Sequence, residues 1–344
     1  MTALEAGPNT AADVEAVEEI MRRGGSALRE RMARTEVHLE AVTAEAGTPL
    51  ASHATATIAA GGKRLRPLLV VLAAESAGGP GEDPEREQSL VRAAVAVELV
   101  HSATLVHDDL IDGAQLRRGR PTVAAGAGRE AAIATGDLLF SRAFAELARN
   151  RDPEQLRALS DASSALAAGE LLQREDAYAA DLGVERYLER CRLKTAALFE
   201  AACQLGALVS VEGTTALAAA LGEFARRIGL AFQLLDDVLD VSGPAQQTGK
   251  ARGTDLLDGT VTLPLILARE RDERIASLDL ATLAGPEQAE MLCERIAATG
   301  ALDEARERAL SIVAEAKAAL PATLSDGRYE LLDLVADAVV ERYC

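Results

Sequence analysis

Apolar residues recur at helical spacing along almost the whole chain. Val14, Val17, Ile20 and Met21 mark one face of a first helix starting at Asp13, which Gly24-Gly25 interrupts. A second helix is predicted over residues 26–46, ahead of Gly47-Thr48-Pro49, and a third before Gly61-Gly62. Pro67 is placed as the first residue of the next helix, where its fixed φ and missing N–H are tolerated. After a loop at residues 78–84, a long apolar helix runs into Asp108 and Asp112. The same period predicts helices over residues 135–147, 158–178, 184–209, 214–240, 264–270, 287–298, 303–319 and 329–343. Residues 243–260 read as a flexible loop able to cover a site, and residues 1–12, small and polar, read as disordered. No strand-like alternation bounded by turn residues recurs, so the expected class is all-α.

Composition sharpens this picture. The 344 residues are 49% hydrophobic, rich in Ala and Leu, with only 11 prolines. That favours helices around a sizeable core, and no low-complexity linker divides residues 1–344 into two domains. A net charge of −18 argues against a nucleic-acid partner, which requires a broad basic surface. Cys191, Cys203, Cys293 and Cys344 show no CxxC spacing and read as free thiols. No signal-peptide pattern stands at the N-terminus, and apolar runs such as 68–74 are too short for a membrane span. A cytoplasmic location is expected.

Charge then points to chemistry. Asp108, Asp109 and Asp112 end the long apolar helix, and Arg117-Arg118-Gly119-Arg120 follow. Asp108 and Asp112 share a helical face, and such acids are stable together mainly when cations sit among them. Carboxylates are hard ligands for Mg²⁺, which also binds substrate phosphates, and arginines grip phosphate oxygens in bidentate fashion. Asp236, Asp237 and Asp240 repeat the spacing on another apolar helix, before Gly249-Lys250 and Gly253-Thr254-Asp255. One such cluster in an acidic protein is more often a solvated helix end. Two, both with apolar flanks, favour a metal-diphosphate site. Glu98, His101, Leu105, Asp108 and Asp112 follow helical spacing, which puts His101 on the face of the acids.

With these motifs in order, the chain resembles the trans-isoprenyl diphosphate synthases, or polyprenyl synthetases. The match comprises Gly61-Gly62-Lys63-Arg64-Leu65-Arg66-Pro67, both aspartate motifs, Lys194-Thr195 and Phe232-Gln233. The resemblance implies the isoprenoid synthase fold, with ten or more helices around a deep central cavity, and a homodimer. It implies head-to-tail condensation of isopentenyl diphosphate with an allylic diphosphate, assisted by Mg²⁺, about three ions per site. Metal would be held by Asp108 and Asp112 from one side and by Asp236 and Asp240 from the other. Asp109, Asp237 and Lys194 complete the implied catalytic set. Arg117, Lys194, Thr195, Gln233 and Lys250 would contact the allylic substrate. Lys63, Arg66, His101 and Arg118 would bind isopentenyl diphosphate.

The fifth residue before the first motif, Ala103, corresponds to the family's tail-blocking position. Small Thr104, and Val100 deeper in, leave the floor open and imply a geranylgeranyl or longer product. Helical geometry alone places Thr104 more directly beneath Asp108. Two departures stand out: Gly259-Thr260 occupy a place where many members carry lysine, and Gly113-Ala114-Gln115-Leu116 is less polar than usual. A farnesyl diphosphate synthase is the alternative in the same family. A class I terpene cyclase is disfavoured by the absence of Trp and 3% aromatics, and a regulatory subunit by two complete acid clusters.

Overall fold

Helix starts follow local chemistry. Asp83 accepts a hydrogen bond from the Glu85 amide at 2.9 Å and Pro84 follows it, so helix α5 (Pro84–Ile111) starts there. Asp152 with Pro153 does the same for α8 (Pro153–Glu175). Thr214 caps α11 (Thr215–Ser242) through the Leu217 amide at 3.1 Å. The computed structural model describes residues 11–44, 49–243, 252–320, 324 and 328–341. The remaining helices before α11 are α1 (Ala11–Arg23), α2 (Gly25–Ala44), α3 (Pro49–Ala59), α4 (Leu65–Ser76), α6 (Val123–Ala127), α7 (Arg129–Ala148), α9 (Val184–Cys191) and α10 (Ala197–Val209). Beyond α11, the longer helices are Leu263–Arg271, Pro286–Ala298, Ala301–Ala318 and Glu330–Glu341.

The α5 helix is the axis of the core. It packs against α7, α4, α10 and α2, while α10 joins it to α11. By length and composition α5 is apolar enough to cross a membrane, yet 72% of its most apolar stretch is buried inside the fold. Its hydrophobicity is that of a central core helix, covered on nearly all sides. Buried apolar residues from α1 through Glu330–Glu341 form one continuous cluster.

The all-α expectation holds among the described residues, apart from a two-residue ladder in which Leu116 pairs with Pro121 and Arg117 with Arg120. Several boundaries differ from the sequence reading. Helix α4 starts at Leu65, two residues before Pro67, because Arg64 in the left-handed region (φ 50°) closes the glycine turn earlier. The stretch 184–209 is not one helix: a π-helical turn, Arg192–Ala196, separates α9 from α10. Of the expected loop 243–260, residues 244–251 with Lys250 lie outside the described residues, and Thr254–Leu257 is a short helix. Residues 1–10 also lie outside them, as does Cys344, whereas Ala11 and Ala12 already belong to α1.

Candidate active site

The C-terminal end of α5 borders three cavities. Consecutive helical residues point about 100° apart, so Asp109 leaves α5 away from Asp108, while Asp112, on nearly the same face as Asp108, stands one turn on at the helix C-cap. Asp109 joins His101 and Leu105 on a basic cavity of about 310 Å³. Asp112 faces a polar cavity of about 270 Å³ that Asp236 and Asp237 also line. Asp108, with Thr104, lines an apolar cavity of about 340 Å³. His101 therefore shares its cavity with Asp109 rather than with Asp108 and Asp112, as the wider spacing had implied.

The basic cavity is held by paired charges. Arg64 donates to Glu36 at 2.7 and 2.9 Å and to buried Glu98 at 2.9 Å, tying α2, the glycine turn and α5 together. Arg118 also adopts a left-handed backbone (φ 52°), a costly conformation for a non-glycine residue that surrounding contacts must hold. A side chain at Gly62 would meet the Arg118 guanidinium at 3.0 Å, so the glycine lets the two basic motifs touch. Arg117 Nε donates to Asp109 Oδ1 at 2.6 Å. That pairing places Arg117 in the basic cavity beside Arg118, although the family pattern assigned it to the allylic side. Arg66 stacks over Phe199, 4.9 Å from the ring centre, and burial pushes its guanidinium down to about 10. Lys63 is half-buried in the turn before α4 and is not among the residues lining this cavity. Burial, reinforced by Arg66, Arg118, Arg117 and Arg64, holds His101 well below the ordinary imidazole range. A neutral imidazole among guanidinium groups is suited to donate a hydrogen bond to an anion.

The π turn shapes the polar cavity. It presents Lys194 and Thr195, as π-helical insertions commonly do at functional sites. A side chain at Gly169 would lie 2.5 Å from the Lys194 backbone nitrogen, so only glycine allows α8 this close. Lys194 is paired with Glu170, while Arg174 bridges Glu170 and Asp112. Thr195 donates to Gln233 at 2.7 Å, Gln233 donates to Asp237 at 2.7 Å, and Tyr187 donates to Asp237 at 2.6 Å. Asp237 is thus an anchored, buried carboxylate whose burial raises its pKa. Asp240 accepts from the Asp255 amide at 3.3 Å, joining the end of α11 to the following segment. Burial pushes Asp108 up to about 6. Among the described residues, no three His, Cys, Asp or Glu side chains are grouped closely enough to hold a metal alone. Of the four implied metal donors, Asp112 and Asp236 line the polar cavity from α5 and α11, whereas Asp108 lines the apolar cavity and Asp240 none of the three. Carboxylates from two helices on one cavity fit Mg²⁺ taking its other ligands from water and phosphate.

The apolar cavity is lined by Thr104, His107, Ile111, Phe140, Leu166 and Leu171 among others, with Asp108, Glu170 and Lys194 at its polar edge. Gly136 makes room for the His107 ring. Of the three length-determining candidates, Thr104 lines this cavity, whereas Ala103 and Val100 are fully buried outside its lining. Ala103 stands five residues from Asp108, too far round the helix to share its face.

Sequence reasoning placed Arg64 in its motif without a role and missed Glu170, Arg174 and Tyr187. Glu170 and Arg174 look like an ordinary exposed i,i+4 pair, and nothing local to Tyr187 signals a partner fifty residues away.

Residues 48–298 match the family model for polyprenyl synthetase. The chain is 42% identical to the heptaprenyl diphosphate synthase component 2 of Geobacillus stearothermophilus, covering 76% of this chain and 79% of that protein. It is 37% identical to the geranylgeranyl diphosphate synthase of Methanosarcina mazei, over 82% of this chain and 86% of that protein. Its fold superimposes on the crystal structure of a polyprenyl synthase from Caulobacter crescentus CB15 complexed with calcium and isoprenyl diphosphate. The TM-score is 0.86 at 35% identity, covering 95% of this chain and 98% of that one. The architecture is therefore the isoprenoid synthase fold.

Proposed function

The chain belongs to the polyprenyl synthetase family, a family of prenyltransferases, and from that premise we propose that it condenses isopentenyl diphosphate head-to-tail with an allylic diphosphate. The product is an all-trans polyprenyl diphosphate of geranylgeranyl length or longer. The observation that carries this reading is that a basic, a polar and an apolar cavity all border the C-terminal end of α5. A diphosphate head requires the polar cavity, its hydrocarbon tail the apolar one, and a second diphosphate the basic one.

Arg118 and neutral His101 bind the isopentenyl diphosphate, with Lys63 in the turn before α4 and Arg66 in its first turn adding positive potential. Lys194 and Thr195 hold the allylic diphosphate where the polar and apolar cavities share the Lys194 side chain. Asp108, Asp112, Asp236 and Asp240 would hold Mg²⁺, which when bound stabilises the charge developing on the departing diphosphate. Support comes from the Caulobacter structure, where a divalent cation accompanies isoprenyl diphosphate. The apolar wall shields the allylic cation from water. The departing diphosphate accepts the proton lost at the end, so no side-chain base is invoked.

Incubating the purified chain with Mg²⁺ and both substrates tests this. All-trans products longer than farnesyl are expected, and no diphosphate release would refute it. A two-component synthase is the second reading, favoured by the Geobacillus relative, whose name makes it one component. Activity appearing only with a second polypeptide would select that reading over a homodimer.

A further inference from the structure

We propose that Arg190 is a further diphosphate-binding residue, supplying the polar cavity with a cation from α9. The proposal rests on the prenyl-transfer reading above. Among the described residues, three cations line this cavity: Arg174, Arg190 and Lys194. Arg174 is bound by Asp112 and Glu170, and Lys194 by Glu170. Arg190 differs. It is only 3% exposed, and its Nη1 has no hydrogen-bond partner.

The nearest acid to it is Asp176, whose Oδ2 lies 3.8 Å from Nη1, beyond hydrogen-bonding distance. Asp176 is already paired through Oδ1 with Arg186 Nε at 2.8 Å, and its Oδ2 also lacks a partner. The guanidinium is otherwise fixed: Nη2 donates to the Val261 carbonyl at 2.6 Å, and the group lies 5.4 Å from the Tyr187 ring centre. A buried donor left unsatisfied is costly, and a buried guanidinium beside a cavity is relieved by an anion with several acceptor oxygens. Diphosphate is that anion. Nη1 donates to a phosphate oxygen, while Nη2 keeps its hold on Val261. The position also suits the segment bearing Val261, since Gly259-Thr260 bring no cation of their own to the cavity.

The test measures affinity for inorganic diphosphate with Mg²⁺ by calorimetry on the full chain, alongside thermal stability. Arg190→Met should weaken binding roughly tenfold or more, the scale of one charge-assisted hydrogen bond. Arg190→Lys, which keeps the charge and loses the planar fork, should fall between. Asp176→Asn should bind at least as tightly as the wild type, because it removes the negative charge that competes with diphosphate for Nη1. If Arg190 were only a structural ion pair, Arg190→Met and Asp176→Asn would both lower the melting temperature and leave affinity unchanged. That pattern overturns the proposal. Should Arg190→Met fail to fold, Arg190→Lys decides, with wild-type affinity counting against the proposal. Failure of the parent reading looks different: wild-type protein would then release no diphosphate from the two prenyl substrates.

Discussion

Asp108, near the end of α5, lines the apolar cavity and Asp236, on α11, lines the polar one. Replacing either by Ala should lower turnover by about a hundredfold or more, on the scale of removing one preorganised electrostatic group. Diphosphate release at limiting Mg²⁺ measures it, and near-normal turnover would contradict the assignment of that acid. His101 gives a pH signature. Its folded-state pKa lies well below the open-chain value of 6.5, through burial and neighbouring arginines. Below about pH 6.5 the unfolded chain takes up a proton that the folded chain refuses, so stability falls as pH drops through that range. His101→Gln should flatten this acid-side loss in melts between about pH 7.5 and 5.5, whereas an unchanged slope would show that other groups cause it. The acids and His101 were legible because their spacing repeats at helical period. Their pairings were not: Asp109 with Arg117 depends on a hairpin too short to leave a strand pattern.

Helices were legible as elements, since capping residues and apolar periods mark their starts and faces. Interruptions were not, because a π turn changes hydrogen bonding without changing residue type. Arg192–Ala196 has an ordinary helical composition, yet it is the local widening that turns Lys194 and Thr195 to the cavity. Its position depends on α8, which approaches the Lys194 backbone at Gly169. Gly169→Ala would put a methyl 2.5 Å from a backbone atom that cannot swing aside. The expected cost is about 1–3 kcal/mol, as for overpacking a tight core. Because Lys194 moves with the turn, the KM for the allylic substrate should rise more than that for isopentenyl diphosphate. Denaturant unfolding and two-substrate kinetics check both parts, and equal effects on the two substrates would show that the turn is not tied to one pocket.

At the scale of the whole molecule, the proposed prenyl transfer makes one buried helix the element expected to set how far a growing tail extends. The apolar cavity starts at the edge shared by Asp108 and Lys194 and runs past Thr104, with exposed Ile111 and Leu171 along its outer side. Thr104 is one helical turn before Asp108, so a ring there enters the cavity directly beneath the acid. Ala103 lies about 100° further round, packed in the core with no exposure. The two substitutions should therefore separate. Thr104→Phe places a ring of the order of 200 Å² in the tail's path and should shift product toward farnesyl diphosphate, with the first condensation nearly intact. Ala103→Phe should instead overpack α5 against its neighbours, costing about 1–3 kcal/mol, with product length changed less than by Thr104→Phe. Chain-length analysis of extracted products, paired with thermal melts, distinguishes them. Should wild-type protein stop at farnesyl diphosphate, the open floor beside Thr104 would not be the tail's route. Should Ala103→Phe shorten the product while Thr104→Phe leaves it unchanged, the tail would pass through the core side of α5.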